Sequence, residues 1–319
     1  MTTADLTTRL GRLELTSPVL VASGCGGSGR ELQPYADLAA LGAFTTASIT
    51  LEPRRGRRAP RVAETPAGLL GSLGLPGPGV DVFLARELPW LAEHCGRVIV
   101  SIAGGSLPEY AELARRIGTA EGVAAVEVNL SSPDGWDRAD AAARDGYSAQ
   151  RVLAAVRQEV PRPRPVLAKI SADVGNVTEV AAAAARGGAD GVTLVNALPG
   201  MAMDPVTLRP ALGGVTGALS GPAVHPVAVH AVYQVHAGLP DLPIVGTGGV
   251  RTGWDALELV LAGASAVGVG SALLRDPAAT DRITSELTAL LAEHALPSLA
   301  AAVGLGHRTR PAITESETA

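Results

Sequence analysis

Short apolar runs rich in β-branched residues alternate along the chain with longer segments of helical period. The runs fall at 19–22, 43–49, 98–103, 125–130, 166–170, 191–195, 244–247 and 266–270. Most are apolar throughout rather than at every second position, as expected of parallel strands covered on both faces. Segments 108–117, 149–159, 174–186, 223–236 and 254–261, and a last one over 277–294, carry the helical pattern. Eight such units over about 280 residues predict a closed (β/α)8 barrel, the TIM barrel, in preference to an open sheet. The stretch RLGRLELTSP ahead of the first run reads as a β-hairpin placed to plug the barrel's N-terminal end. No second domain is visible, and residues 1–319 are expected to form one barrel domain.

In such a barrel the chemistry gathers at the C-terminal ends of the strands. There the fourth to eighth runs close on NLSSPD, KIS, NAL, GTGGV and VGVGSAL. Lys169, in KIS, is the only lysine among 26 basic residues; every other one is arginine. Arginine's wide planar fork does not replace lysine's compact ammonium. A chain this biased towards arginine is expected to keep one lysine where a point charge is needed.

Composition narrows the function classes. The chain is 47% hydrophobic and 18% charged, with a net charge of −5, which suits a large buried core. No basic stripe interleaved with aromatics points to nucleic acid, and the arginine-rich run at 52–61 reads as an exposed loop. No apolar run approaches the roughly 18 residues of a membrane span. The N-terminal MTTADLTTRL lacks a signal-peptide core. A cytoplasmic protein free of membrane and nucleic acid is expected. Two cysteines, Cys25 and Cys95, make neither a disulfide framework nor a metal cluster.

The glycine-rich turns GTGGV and VGVGSALL follow the seventh and eighth strands, the common phosphate site of these barrels. Backbone N–H groups approach phosphate oxygens closely there, and a following helix N-terminus adds its dipole. A third turn, LSGPA, precedes another helix. In order, VASGCGGSGRE, TLEPRRGRRAPRVAETPAGLLGSLGLPGPG, VNLSSPD, LAKIS, LVNAL, GALSGPAVHPVA, PIVGTGGV and LAGASAVGVGSA resemble the blocks of the dihydroorotate dehydrogenase family. The likeness runs from about Ser17 to Asp276, and the LSGPAVHP block is similar to the class 1 branch. That resemblance implies FMN across the barrel top and hydride transfer between the flavin and a CH–CH or C=C bond of a small cyclic substrate. It implies flavin contacts at Ala22, Ser23, Gly24, Asn129, Lys169, Val195 and Gly221, and a phosphate cradle at Gly248, Gly249, Gly270 and Ser271. Lys169 would stabilise the negative charge the ring takes up on reduction. Ser132 matches the acid/base on the strand-four loop, with a water or Asp134 to relay its proton. A homodimer and an iron–sulfur/FAD electron-transfer subunit are the implied partners.

The substrate side departs from the family pattern. It would be formed by Ala47, Gly71, Leu73, Gly74, Leu75, Asn129, Asp134, Asn196 and Ala197. At four of these, Ala47 stands where the family has lysine, Gly71 and Asp134 where it has asparagine, and Ala197 where it has serine or threonine. Each lost partner of a buried polar group costs about 1–3 kcal/mol. The expectation is therefore a pocket widened near Ala47 and Gly71, with dihydroorotate a poor substrate. Genuine dihydroorotate dehydrogenase activity and a non-redox FMN-binding relic stand as alternatives, with Arg54 and Arg55 as candidate compensating residues. Trp136 and Tyr147 mark the strand-four loop as a candidate lid. Cys25 reads as a packing residue, and His225, just after the third glycine turn, is the one histidine near the flavin edge.

Overall fold

A computed structural model of the protein describes residues 4–130 and 145–308. Two antiparallel strands, β1 (Thr8–Leu10) and β2 (Leu13–Leu15), form the N-terminal hairpin. Strands β3 (Val19–Val21) and β4 (Ala43–Thr45) follow, then β5 (Val62–Thr65) and β6 (Gly68–Gly71). A helical stretch comes next: α1 (Val80–Val82), a π turn (Phe83–Glu87) and α2 (Leu88–His94). Regular alternation resumes with β7 (Val98–Ile102), α3 (Leu107–Gly118), β8 (Val123–Asn129), α4 (Gly146–Glu159), β9 (Val166–Ser171), α5 (Val177–Arg186) and β10 (Gly191–Asn196). Short strands β11 (Leu198–Gly200) and β12 (Gly217–Ser220) precede α6 (His225–Gly238), β13 (Ile244–Thr247), α7 (Gly253–Leu261), β14 (Ala266–Val269), α8 (Ala279–Glu293) and α9 (Leu299–Ala302).

Strands β3, β4, β7, β8, β9, β10, β13 and β14 close into a parallel barrel in chain order. The fold is a (β/α)8 barrel with an N-terminal hairpin. Successive side chains of a strand point to opposite faces, and this parity sorts the barrel interior into layers. Leu20, Ala43, Ile99, Ala125, Leu167, Val245 and Ala266, all near strand starts, form a buried apolar layer with hairpin residues Leu10 and Leu15. The hairpin thus closes the N-terminal end. Two residues further along five of those strands stand Thr45, Ser101, Glu127, Lys169 and Thr247, all buried. An apolar floor therefore carries a polar layer, and Lys169 belongs to that layer. The outer strand faces and the helices share a second core that includes Phe44, Phe83, Val126, Leu153 and Leu257.

Some elements depart from the sequence pattern. The run at 43–49 is a strand only to Thr45, with Ile49 rejoining the barrel as an isolated bridge to Ile102. The fifth helix starts at Val177 because the Asn176 side chain accepts the N–H groups of Thr178 and Glu179. Strands β5, β6, β12 and β11 form an antiparallel sheet beside the barrel. They are only three or four residues long, too short to carry a strand period. The arginine-rich segment is not a bare exposed loop. Arg54 and Gly77 exchange backbone hydrogen bonds at 2.9 and 3.0 Å, and Arg61 Nε donates to the Arg57 carbonyl at 2.6 Å. Among the described residues no helix is long and apolar enough to cross a membrane, and no cluster of ligating side chains could hold a metal ion.

Candidate active site

A cavity of about 480 Å³ opens at the C-terminal ends of the barrel strands. Ala22 and Ser23 follow β3, Lys169 rises from β9, and Val195, Asn196 and Ala197 end β10; all line it. So do Gly248 and Gly249 after β13, Gly270 and Ser271 after β14, and Gly221 after β12. The antiparallel sheet supplies a wall through Gly68 and Ser220. Ten residues from the ends of five barrel strands are thereby brought to one space, because the closed barrel puts every strand end on the same rim.

Lys169 is held from below. Its side chain is 9% exposed, and Nζ lies 3.6 Å from Glu127 Oε1 on the neighbouring strand. The other oxygen, Oε2, accepts the Thr193 hydroxyl at 2.9 Å. The ammonium is therefore anchored by a buried carboxylate while its stem reaches the cavity wall. Beside it runs a chain of hydrogen bonds across four strand ends. Ser101 and Ser48 share a hydroxyl hydrogen bond of 3.0 Å. Asn129 Nδ2 donates to Ser48 Oγ at 3.0 Å, and Asn196 Nδ2 donates to Asn129 Oδ1 at 3.1 Å. Asn196 Oδ1 in turn accepts the Ala197 N–H, and the buried Tyr110 hydroxyl donates to the Asn129 carbonyl at 2.6 Å. This chain fixes which end of each amide faces the rim. Ser48, Ser101 and Tyr110 are the members that sequence reasoning missed: attention fell on Ala47, and only the fold shows its neighbour reaching Asn129.

The glycines of the two turns are required by their surroundings. Gly248 and Gly249 have φ of +135° and +68°, which other residues rarely adopt. A Cβ on Gly249 would lie 2.7 Å from the Gly221 carbonyl oxygen. The turns of β12 and β13 therefore pack backbone to backbone. Arg251 and Arg275 also line the cavity, placing two cations on its β13–β14 side. Cys25 lines it too; burial pushes its thiol pKa up, with the Lys169 charge a smaller opposing effect. It stays a thiol and packs as expected.

The remaining sequence-selected residues lie elsewhere. Asn129 sits beneath Asn196, 8% exposed. Gly24 has φ +82° and open space where a Cβ would stand. Ala47 is half-buried between Thr46 and Ser48. Gly71, with open space at its Cβ position, pairs with Val62 and Ala218. Leu73, Gly74 and Leu75 continue from it, with Arg57 N donating to the Leu73 carbonyl at 2.9 Å and Arg54 Nε to the Gly74 carbonyl at 3.3 Å. Ser132, Asp134 and Trp136 lie outside the described residues. Tyr147 is 71% exposed at the start of α4.

The family model for dihydroorotate dehydrogenase matches residues 5–291. A relative from Desulforudis audaxviator (strain MP104C), named dihydroorotate dehydrogenase B (NAD(+)), catalytic subunit, is 46% identical over 93% of this chain and 96% of its own. Proteins of the same name from Desulforamulus reducens and Cutibacterium acnes are 41% and 43% identical, covering 95% and 90% of this chain and 99% and 93% of their own. These relatives overturn the expectation that dihydroorotate is a poor substrate. That expectation summed losses at Ala47, Gly71, Asp134 and Ala197 as if each position decided the substrate alone. Of the two arginines named as candidate compensating residues, Arg54 donates from Nε to the Gly74 carbonyl at 3.3 Å, and nearby Arg57 donates from Nη1 to the Gly214 carbonyl at 3.1 Å; neither lines the cavity. With the match spanning almost all of the barrel, the chain belongs to the dihydroorotate dehydrogenase family, FMN-dependent oxidoreductases that act on a CH–CH bond.

Proposed function

We propose that this chain oxidises dihydroorotate to orotate, with FMN bound in the cavity at the barrel's C-terminal mouth. The observation that carries this reading is convergence: Lys169, Asn196 and the turns of β13 and β14 line one space, in a chain whose relatives are named for that reaction. FMN, when bound, supplies the two-electron acceptor. The residues fit it. The cavity volume lies in the roughly 300–1,000 Å³ range of cofactor sites, and the wall offers glycine turns for a phosphate and a single buried ammonium for a ring that gains negative charge. Gly248, Gly249, Gly270 and Ser271 hold the phosphate. Ala22, Ser23, Gly24, Val195 and Gly221 bound the remainder of the cofactor.

The protein's own part is orientation and proton transfer. Lys169 presents fixed positive charge in a dry site, where preorganised charge is most effective. Glu127 and Thr193 keep it from moving. Asn129 and Asn196, their amides aligned by Ser48, present polar groups to cofactor and substrate. Ala47, Gly71, Leu73, Gly74, Leu75, Asp134 and Ala197 bound the substrate side, with Arg54, whose Nε reaches the Gly74 carbonyl, as the candidate charge for a carboxylate. One substrate carbon gives up a hydride and the adjacent carbon a proton, so a C=C bond forms and the atoms balance. Ser132 receives that proton, and because a hydroxyl is a weak base it passes the proton on through water or Asp134. The relatives' name, a catalytic subunit linked to NAD(+), supports a separate electron-transfer subunit; the resemblance to the class 1 branch gives that subunit iron–sulfur and FAD. The catalytic chain pairs with a second copy of itself in the cytoplasm, as one barrel domain.

The test is anaerobic stopped-flow mixing of the FMN-loaded protein with dihydroorotate. Bleaching of the flavin spectrum at an ordinary enzymatic rate, on the order of 10 per second, is the expected result. A retained flavin that dihydroorotate leaves oxidised would reject the reading.

A further inference from the structure

His225 opens α6 and is 9% exposed. Its Nδ1 lies 2.9 Å from the Gly248 carbonyl oxygen and its Nε2 lies 3.0 Å from Glu258 Oε2 on α7. The ring thus bridges a backbone carbonyl on one side and a carboxylate on the other. Asp255 Oδ1 stands 3.9 Å from the same Nε2, beyond hydrogen-bond reach, while its other oxygen, Oδ2, accepts the N–H groups of Arg251 and Thr252 at 2.9 Å. Glu258 is therefore the ring's main anionic partner. The Gly248–Gly249 peptide is trans, so its C=O and N–H point in opposite directions. With the carbonyl drawn to the ring on the α6 side, the Gly249 N–H is turned to the opposite side of the peptide. Among the described residues no protein acceptor takes it. The turn is also wedged in place: a Cβ on Gly249 would lie 2.8 Å from His225 Cβ.

We propose that His225 is a positioning residue for the cofactor phosphate: by holding the Gly248 carbonyl between α6 and α7, it aims the Gly249 N–H into the cavity as a phosphate donor. This rests on the placement of the FMN phosphate proposed above. His225 touches neither cofactor nor substrate in this account. It acts through one peptide plane, and Glu258 acts through His225.

The experiment compares FMN with riboflavin, which has the same ring and no phosphate. Flavin-free protein is titrated with each, and quenching of flavin fluorescence gives the two dissociation constants for the unmodified chain, His225→Gln and Glu258→Gln. The unmodified chain is expected to prefer FMN. His225→Gln keeps one donor but cannot span both acceptors, so it weakens FMN about tenfold, equivalent to about 1.4 kcal/mol, and changes riboflavin less than twofold. Glu258→Gln, at a side chain 40% exposed, shifts FMN the same way by a smaller factor. If His225→Gln loses both ligands together, Glu258→Gln decides. Equal effects on FMN and riboflavin in both variants, or unchanged FMN affinity, overturn the role of His225. No preference for FMN in the unmodified chain overturns the phosphate placement itself.

Discussion

Lys169 brings a charge into a barrel whose floor is built from Leu20, Ile99, Leu167 and their apolar neighbours. It is tolerated there because Glu127, 4% exposed at its side chain, lies 3.6 Å away. Removing one partner of a buried pair strands the other, at a cost of about 3–5 kcal/mol. Lys169→Met is expected to lower the unfolding free energy by about that much in urea titrations followed by circular dichroism. Adding Glu127→Gln should recover most of the loss, since an amide leaves no charge uncompensated. If Lys169 served only the pair, the double variant would also regain flavin reduction by dihydroorotate; the expected outcome is stability without reduction. The importance of this lysine was legible in the sequence, because it is the only one and ends a strand. Its partner was not, because Glu127 meets it only through the register of β8 against β9, where Asn129 stands opposite Lys169.

At the scale of elements, the helix after the β13 turn shows how local signals position the rim. Thr252 caps α7: its hydroxyl accepts the Asp255 N–H at 3.2 Å, while the Asp255 carboxylate accepts the Thr252 N–H at 2.9 Å. This reciprocal box fixes where α7 begins, and α7 carries Glu258. Thr252→Ala should cost about 1 kcal/mol of stability, read as a shift of the urea midpoint at unchanged slope. The eight barrel strands were legible because continuous β-branched runs leave little else for them to be. Strands β5, β6, β11 and β12 were not. Sequences such as GLLG and LPG have neither alternation nor length, and their pairing is imposed by the packing of the barrel mouth. The helical stretch over 80–94 was also missed, because its π turn, Phe83–Glu87, breaks the period that a reader looks for.

For the whole molecule, the cavity is where separate parts of the fold meet. Its wall draws on the ends of β3, β9, β10, β13 and β14 and on the antiparallel sheet. That the glycine turns after the last two strands meet at one cavity was legible, because such turns have one common use in these barrels. The substrate expectation misled because it was read as a sum of four single positions, set against a match that spans almost the whole chain. A ligand that touches so many strand ends at once must also report on the closure of the barrel. FMN that binds the folded chain and not the unfolded one stabilises it by mass action, by about 2.7 kcal/mol at a free concentration 100 times its dissociation constant. For a chain of this size that corresponds to a rise of several degrees in Tm. Removing the flavin should therefore lower Tm, and titrating FMN back should raise it with the logarithm of free concentration. Riboflavin should produce a smaller rise at equal concentration, because it lacks the phosphate proposed to sit against the Gly248–Gly249 and Gly270–Ser271 turns. A Tm that ignores FMN concentration, measured by circular dichroism on flavin-free protein, would show that the cavity lies outside the cooperative core of the barrel.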